Sequence, residues 1–342
     1  MSAAPRGALE TRLEELRAGT AWSAYERVRD WVLDTAGDSA GASAYWAEEL
    51  ETLDFMLDAS PLIIERLRHH TYPITGIRPY EYRSGKDRAA QYAAKLEALA
   101  SLGGRDLRVP ESPALGGFGH EIGGALWNID TLKYHEVLVA LEQAAVLWSF
   151  RRDDARRVVW EIGAGWGGFA YQFKTLFPDT TYLIVDLPHV LLYSGTYLQT
   201  VFPEARIHLY GEGDVDWDRA DFVLAPHTAL DELAPPRLDL TLNMVSFQEM
   251  TQAQVEGYVR RAHELGSPFV YSLNRERSRY NDELISVSDV ISRRYWLYEI
   301  PVLPVSYLKM LDTSAPSKAR RPKTAAPEGD YRHLLGRSRA AP

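Results

Sequence analysis

Residues 157 to 186, RVVWEIGAGWGGFAYQFKTLFPDTTYLIVD, decide the fold. Val158 to Ile162 is a short, β-rich apolar run that stops at four glycines, Gly163, Gly165, Gly167 and Gly168. FAYQFKTLF then carries helical spacing, and TYLIVD is a second strand ending in Asp186. Strand, glycine turn, helix, strand is the unit from which parallel sheets with right-handed crossovers are built. The pattern continues C-terminally. HVLLYSGTYLQTVF reads as helix, ARIHLY and DFVLAPH as two strands, LDLTLNMVSF as a third, QAQVEGYVRRAHEL as helix and PFVYSL as strand. YWLYEIPVLPVSYLKML reads as a final strand pair parted by Pro301 and Pro304. Residues 151–311 are therefore predicted to form one doubly wound α/β domain.

The glycine turn admits three ligand readings. A P-loop needs Gly directly before Lys and Ser or Thr, whereas Lys174 and Thr175 follow Phe173, so that reading fails. A dinucleotide fingerprint is met by Gly163, Gly165 and Gly168, with Asp186 at the distance of a ribose-binding acid. The E-x-G-x-G-x-G pattern of S-adenosylmethionine binding is met equally by Glu161 to Gly167 and the same Asp186. Spacing does not separate the last two. A purely structural role, glycines allowing close packing of strand and helix, stands beside them.

Upstream, residues 1–150 read as mostly helical. Leu9, Leu13, Leu16, Trp22, Tyr25, Val28 and Val32 carry helical spacing over Ala8 to Leu33, with further helices over 44–57, 86–102 and 130–150. Residues 61–85, with three prolines and Tyr72, Tyr80 and Tyr82, read as ordered loop. Residues 312–342 hold four prolines and seven Lys or Arg against three acids, which predicts a disordered tail.

Composition narrows the function. The 342 residues include 38 Lys plus Arg and 47 Asp plus Glu, a net charge of −9, which argues against nucleic acid or an anionic membrane as the main partner. The chain has no cysteine, which excludes disulfides, thiolate metal sites and a thiol nucleophile. The first residues lack a signal-peptide core and no stretch reaches membrane-spanning length, so a soluble cytoplasmic protein is expected. Asp214, Asp216 and Asp218 alternate in GDVDWD and read as a solvated loop, and no tightly bound metal is expected.

VVWEIGAGWGGFAYQFKTLFP, TYLIVDLP and LNMVSFQEM together resemble the class I S-adenosylmethionine-dependent methyltransferases. Within these the chain is similar to the putative sugar O-methyltransferases of actinobacterial antibiotic and polysaccharide gene clusters, the nanchangmycin-type family. The resemblance spans roughly 119–310. It implies an α/β, Rossmann-like methyltransferase sheet over 151–311 behind a mostly helical N-terminal region, 1–150, that supplies the acceptor pocket and lid. The implied cofactor is S-adenosylmethionine. Glu161, Gly163, Gly165 and Gly167 would line its methionine part, and Asp186 would take the ribose hydroxyls. The residue after the third strand would meet adenine, which points to His227 if DFVLAPH is that strand rather than ARIHLY. The implied partner is a small sugar or glycoside acceptor, with a homodimer left open.

In an open α/β sheet ligands bind beyond the C-terminal strand ends, which places Asn243, Ser246, Gln248 and Glu249 at the site. Methyl transfer to a hydroxyl is an in-line displacement that sheds a proton, so a base is needed. Glu249 is the first candidate, ahead of His120 and Asp130. The competing role for Glu249 is an acid in the first turn of a helix capped by Thr251 or Ser246. GFGHEIGGALWNIDTLKY, residues 117–134, is expected to fold over the mouth and offer Glu121 and Tyr134 to the acceptor. Tyr72, Tyr80, Tyr82, Trp127 and Trp166 are further aromatic candidates.

Overall fold

The computed structural model describes residues 6–35, 44–83, 86–103, 106–152, 155–277, 281, 283–284, 286–303 and 331–339. The N-terminal part is helical, but in shorter pieces than the apolar spacing implies. α1 (Arg6–Arg17) and α2 (Thr20–Thr35) part at Gly19, whose carbonyl accepts the amides of Trp22 and Ser23 and so starts the second helix. α3 (Ala44–Glu51) follows. Residues 61–83 are ordered, as expected, as a string of short turns that includes α4 (Pro61–Ile64) and α5 (Tyr72–Thr75). Proline stands in the first turn of both, where its fixed φ helps and its missing N–H costs nothing. α6 (Lys86–Gly103) leads to a hairpin, β1 (His120–Ile122) and β2 (Ala125–Trp127), turned by Gly123 and Gly124 at φ +60° and +80°. α7 (Ile129–Gln143) is capped by a reciprocal Asn128 and Thr131 box and is buried over most of its length.

The remainder is one sheet with helices on both faces. β3 (Arg157–Ile162), α8 (Gly168–Leu176), β4 (Thr180–Asp186), α9 (Pro188–Val201), β5 (Ile207–Leu209), β6 (Phe222–Pro226), β7 (Leu240–Met244), α10 (Gln252–Glu264), β8 (Phe269–Asn274), α11 (Val287–Ser292), β9 (Tyr295–Glu299) and β10 (Arg332–Ser338) follow in chain order. Across the sheet the order is β5-β6-β4-β3-β7-β8-β10-β9, with β10 antiparallel to both neighbours and the other pairs parallel. Alternation along β3 builds both layers. Val158, Trp160 and Ile162 enter the core with α10 and α11, and Val159 enters the core with α8 and α9. β6, not β5, lies beside β4, so DFVLAPH is the third strand of the inner set.

Two expectations about organisation change. The core does not divide at residue 150: Tyr25, Val28 and Val32 of α2 share one apolar cluster with Tyr193, Leu224 and Leu335. Trp31 and Arg27 of α2 also donate to the carbonyls of Tyr210 and Ile207, at 2.8 and 2.9 Å. The tail is not wholly disordered either, because β10 falls inside it. That strand buries Leu334 and Leu335 and pairs on both sides, a stabilisation that composition averaged over 31 residues does not register. The second half of the expected final strand pair, and the rest of the tail apart from 331–339, lie outside the described residues. Among the described residues no helix is long and apolar enough to cross a membrane.

Candidate functional site

The chain order reverses between β3 and β7, and beyond the C-terminal ends of these strands lies a cavity of about 990 Å³, counting the solvent space at its mouth. Its wall follows the topology: Gly163 to Trp166 after β3, Asp186 and Leu187 after β4, His227 after β6, and Val245, Ser246, Glu249 and Met250 after β7. Trp46 of α3, Ile74 and Thr75 of α5, and Lys133 and Tyr134 of α7 close the other side.

The glycine loop is shaped from within the protein. Gly163 has φ +70°, and a Cβ there would lie 2.2 Å from Ser246 Oγ, so both backbone and space demand glycine. Gly163 N donates to Val185 O at 2.9 Å, Gly165 N to Asp186 Oδ2 at 2.9 Å, and Gly167 N to Ala164 O at 3.1 Å. The amides of Gly163, Gly165 and Gly167 are thus engaged within the protein.

Three carboxyl groups face the cavity. Glu161 ends β3 fully buried, accepting the Tyr182 hydroxyl at 2.9 Å, and burial pushes its pKa up to about 8. Asp186 ends β4 with one oxygen on the Gly165 amide and the other on the Leu187 amide, at 2.9 and 2.8 Å; burial still raises it to about 7. Glu249 accepts from the Gln248 amide and the Trp46 indole, and burial lifts it to about 7. Burial favours the neutral acid in all three, and at Glu161 and Glu249 it outweighs the opposing pull of Lys133 and, at Glu249, of Arg275. The cation in the wall, Lys133, is tied to Asp130 Oδ1 at 2.9 Å.

Glu249 is not in the first turn of α10; it lies in the short 3-10 turn that starts after Ser246, which makes no side-chain cap bond. Thr251 caps α10 in a reciprocal box with Gln254, while Glu249 ends that 3-10 turn, Phe247–Glu249, and lines the cavity. The preceding Val245 sits at φ +70°, an unfavourable conformation for a β-branched residue, held by its amide bond to Leu273 O at 2.8 Å. This backbone turn is what brings Ser246 against Gly163.

Of the residues singled out from sequence, Glu161, Gly163, Gly165, Asp186, His227, Ser246, Glu249, Tyr134 and Trp166 line the cavity. Gly167 stands just behind it as the left-handed N-cap of α8. Asn243 does not line the cavity. Its Nδ2 donates to Ile162 O at 2.8 Å and Ser246 Oγ at 2.6 Å, and its Oδ1 accepts from Phe247 N and Asn274 Nδ2, so it locks the loop after β7 to β3 and β8. Gln248 is likewise occupied, by Tyr331, Arg275 and Asn281. Asp130 is wholly buried between Lys133 and the Trp166 indole, whose N–H it accepts at 3.1 Å; it anchors the glycine loop to α7 and does not reach the cavity.

His120 and Glu121 sit on the β1–β2 hairpin, His120 buried between the rings of Tyr82 and Tyr92 and Glu121 exposed. The hairpin, with Trp127 packed on Tyr92 and Leu96, is not a cover for the mouth. No motif pointed to Trp46, Ile74 or Tyr258, which reach the cavity from separate helices. Asp214, Asp216 and Asp218 are exposed, and among the described residues no group of three acids or histidines is placed to hold a metal ion.

No protein-family model matches the chain, and no curated protein matches it in sequence. Many solved structures do match it in shape. WbdD is 13% identical over 58% of this chain, with a TM-score of 0.37, and the chain spans 41% of its length. The methyltransferase domain of a bacterial Hen1 is 10% identical over 61% of this chain and 98% of its own, with a TM-score of 0.36. An O-methyltransferase family protein from Burkholderia thailandensis is 14% identical over 61% of this chain and 59% of its own, with a TM-score of 0.35. At these values the likeness carries no functional argument. Strand order decides the architecture: six parallel strands reversing at β3 and β7, then one inverted strand inserted before the edge. The fold is a doubly wound, Rossmann-like α/β sheet with one inverted strand before its edge.

Proposed function

We propose that this chain is an S-adenosylmethionine-dependent O-methyltransferase acting on a hydroxyl of a sugar or glycoside. The observation that carries the reading is a cavity lined by three carboxyl groups beside a glycine loop, one of whose amides is held by Asp186. Such a site opposes the dianionic pyrophosphate of a dinucleotide and favours a ligand with a cationic centre. A nicotinamide cofactor is disfavoured for that reason.

The residues present fit the methyl donor. Asp186, which accepts the Gly165 and Leu187 amides on different oxygens, lines the cavity where it can accept ribose hydroxyls. Val185, Leu187 and Val190 offer apolar wall beside His227 for a purine. Glu161 lies where a sulfonium or ammonium group gains from a carboxylate. Bound there, the cofactor supplies an electrophilic methyl group. The protein has then to place the acceptor oxygen in line and take its proton. Glu249, with its pKa near 7, is half ionised at neutral pH and suited to accept that proton. The Trp46 indole and the Gln248 side chain hold this carboxyl group in place. Tyr134 and Trp46 supply aromatic surface for a sugar ring.

The test is transfer of labelled methyl from S-adenosylmethionine to a panel of sugars and glycosides. Wild-type protein labels at least one hydroxyl acceptor, and Glu249→Gln lowers the rate by about a hundredfold or more. Labelling unchanged within a few fold in the variant assigns proton removal elsewhere, and transfer to no acceptor by a protein that binds the cofactor refutes the activity.

A further inference from the structure

Flanking the α5 turn that lines the cavity is a second set of groups that methyl transfer does not use. Ile74 and Thr75 of α5 line the cavity, and Ile74 is pressed against the glycine loop, where a Cβ at Gly165 would lie 3.1 Å from its Cγ2. At the start of the same turn stands Tyr72, 40% exposed; just past Gly76, which ends the turn at φ +69°, stand Arg78 and Tyr80, the latter 55% exposed. Arg78 Nη2 donates to the Tyr72 hydroxyl at 2.7 Å and Nη1 to the Tyr80 hydroxyl at 2.9 Å. The guanidinium carbon lies 4.2 Å over the Tyr72 ring. Among the described residues the groups acting on Arg78 are these two phenols and no carboxylate.

This arrangement has a definite chemical character. Each phenol oxygen that accepts from Arg78 keeps its own proton to donate outward, and the guanidinium has five N–H groups of which the phenols take two. A fork of donors around a full positive charge, floored by an aromatic face, matches an oxyanion attached to a sugar ring. Where they ionise, Glu161, Asp186 and Glu249 repel an anion from the cavity floor, and the chain as a whole is at −9. An acidic acceptor therefore has to hold its negative group outside the cavity while its hydroxyl points in. The turn is held for that task by Thr75 Oγ1, which accepts the Ile77 amide at 3.1 Å, and by buried Ile77.

We propose that Tyr72, Arg78 and Tyr80 form an acceptor subsite for an anionic group, a phosphate or carboxylate, on a sugar. The inference rests on the methyl-transfer reading for calling this ligand the acceptor; the anion preference itself does not depend on it. The experiment titrates the full chain with glucose, glucose 1-phosphate and glucuronic acid by ligand-observed NMR, with S-adenosylhomocysteine titrated in parallel. At least one charged sugar binds about tenfold or more tightly than glucose, and Arg78→Ala abolishes the preference while S-adenosylhomocysteine affinity stays unchanged. Preference for the phosphate or for the carboxylate names the source of the anion. Equal binding of charged and uncharged sugars, or a preference that survives Arg78→Ala, overturns the subsite. Wild-type protein that prefers charged sugars yet does not bind S-adenosylhomocysteine upholds the subsite and refutes the methyl-transfer reading.

Discussion

Glu161, Asp186 and Gly163 carry most of the argument, each by a different physical effect. Asp186 holds the glycine loop by accepting the Gly165 amide, so Asp186→Ala removes both that hold and the proposed acceptor for ribose hydroxyls. Calorimetry should show S-adenosylhomocysteine affinity falling by about tenfold or more, and unchanged affinity would remove the ribose role. Gly163→Ala has to push Ser246 aside and adopt φ +70°, so it should lower thermal stability as well as ligand binding. A variant with wild-type Tm and affinity would contradict the loop geometry. These residues were legible in the sequence because strand, glycines and acid occur at fixed spacing. Asn243 and Asp130 were misplaced for the opposite reason. A buried polar residue that satisfies backbone and neighbouring side chains looks, in one dimension, like one facing a ligand.

At the scale of elements, β10 shows where sequence reading stops. Its stability comes from pairing with β8 and β9 and from His333, whose ring bridges Glu136 at 2.8 Å and the Tyr271 hydroxyl at 2.6 Å. Glu136 also pairs with Lys95 at 2.7 Å, so α6, α7, β8 and β10 meet at one buried polar chain. None of these partners is near in sequence. His333→Ala leaves the buried Glu136 carboxylate with one partner fewer and should lower Tm by about 5 °C or more; an unchanged Tm would show that the bridge contributes nothing net. The N-terminal helices failed more gently. Their apolar spacing was right, and the breaks at Gly19 and after Glu51 were missed because a short interruption barely alters periodicity over a long window. The β1–β2 hairpin was missed because its glycine pair read as a flexible connector rather than as a tight turn.

For the whole molecule, the three cavity acids couple folding, pH and ligand. Their pKa values in the folded protein, about 8, 7 and 7, lie above the ordinary carboxyl range, so the native state binds more protons than the unfolded chain between about pH 4 and 8. Stability of the ligand-free protein should therefore fall as pH rises through that window. A Tm that stays flat from pH 5 to 8, or that is unaltered in slope by Glu161→Gln, would contradict the assignment. A cationic ligand reverses the balance by favouring the ionised acids, so its binding at pH 7 should release protons, seen as buffer-dependent heats in calorimetry. The central claim is that this cavity takes the methyl donor and not a dinucleotide. The most direct measurement is a side-by-side titration of the purified chain with S-adenosylhomocysteine and NADH. The account predicts micromolar binding of the first and none of the second, and binding of NADH alone would contradict it.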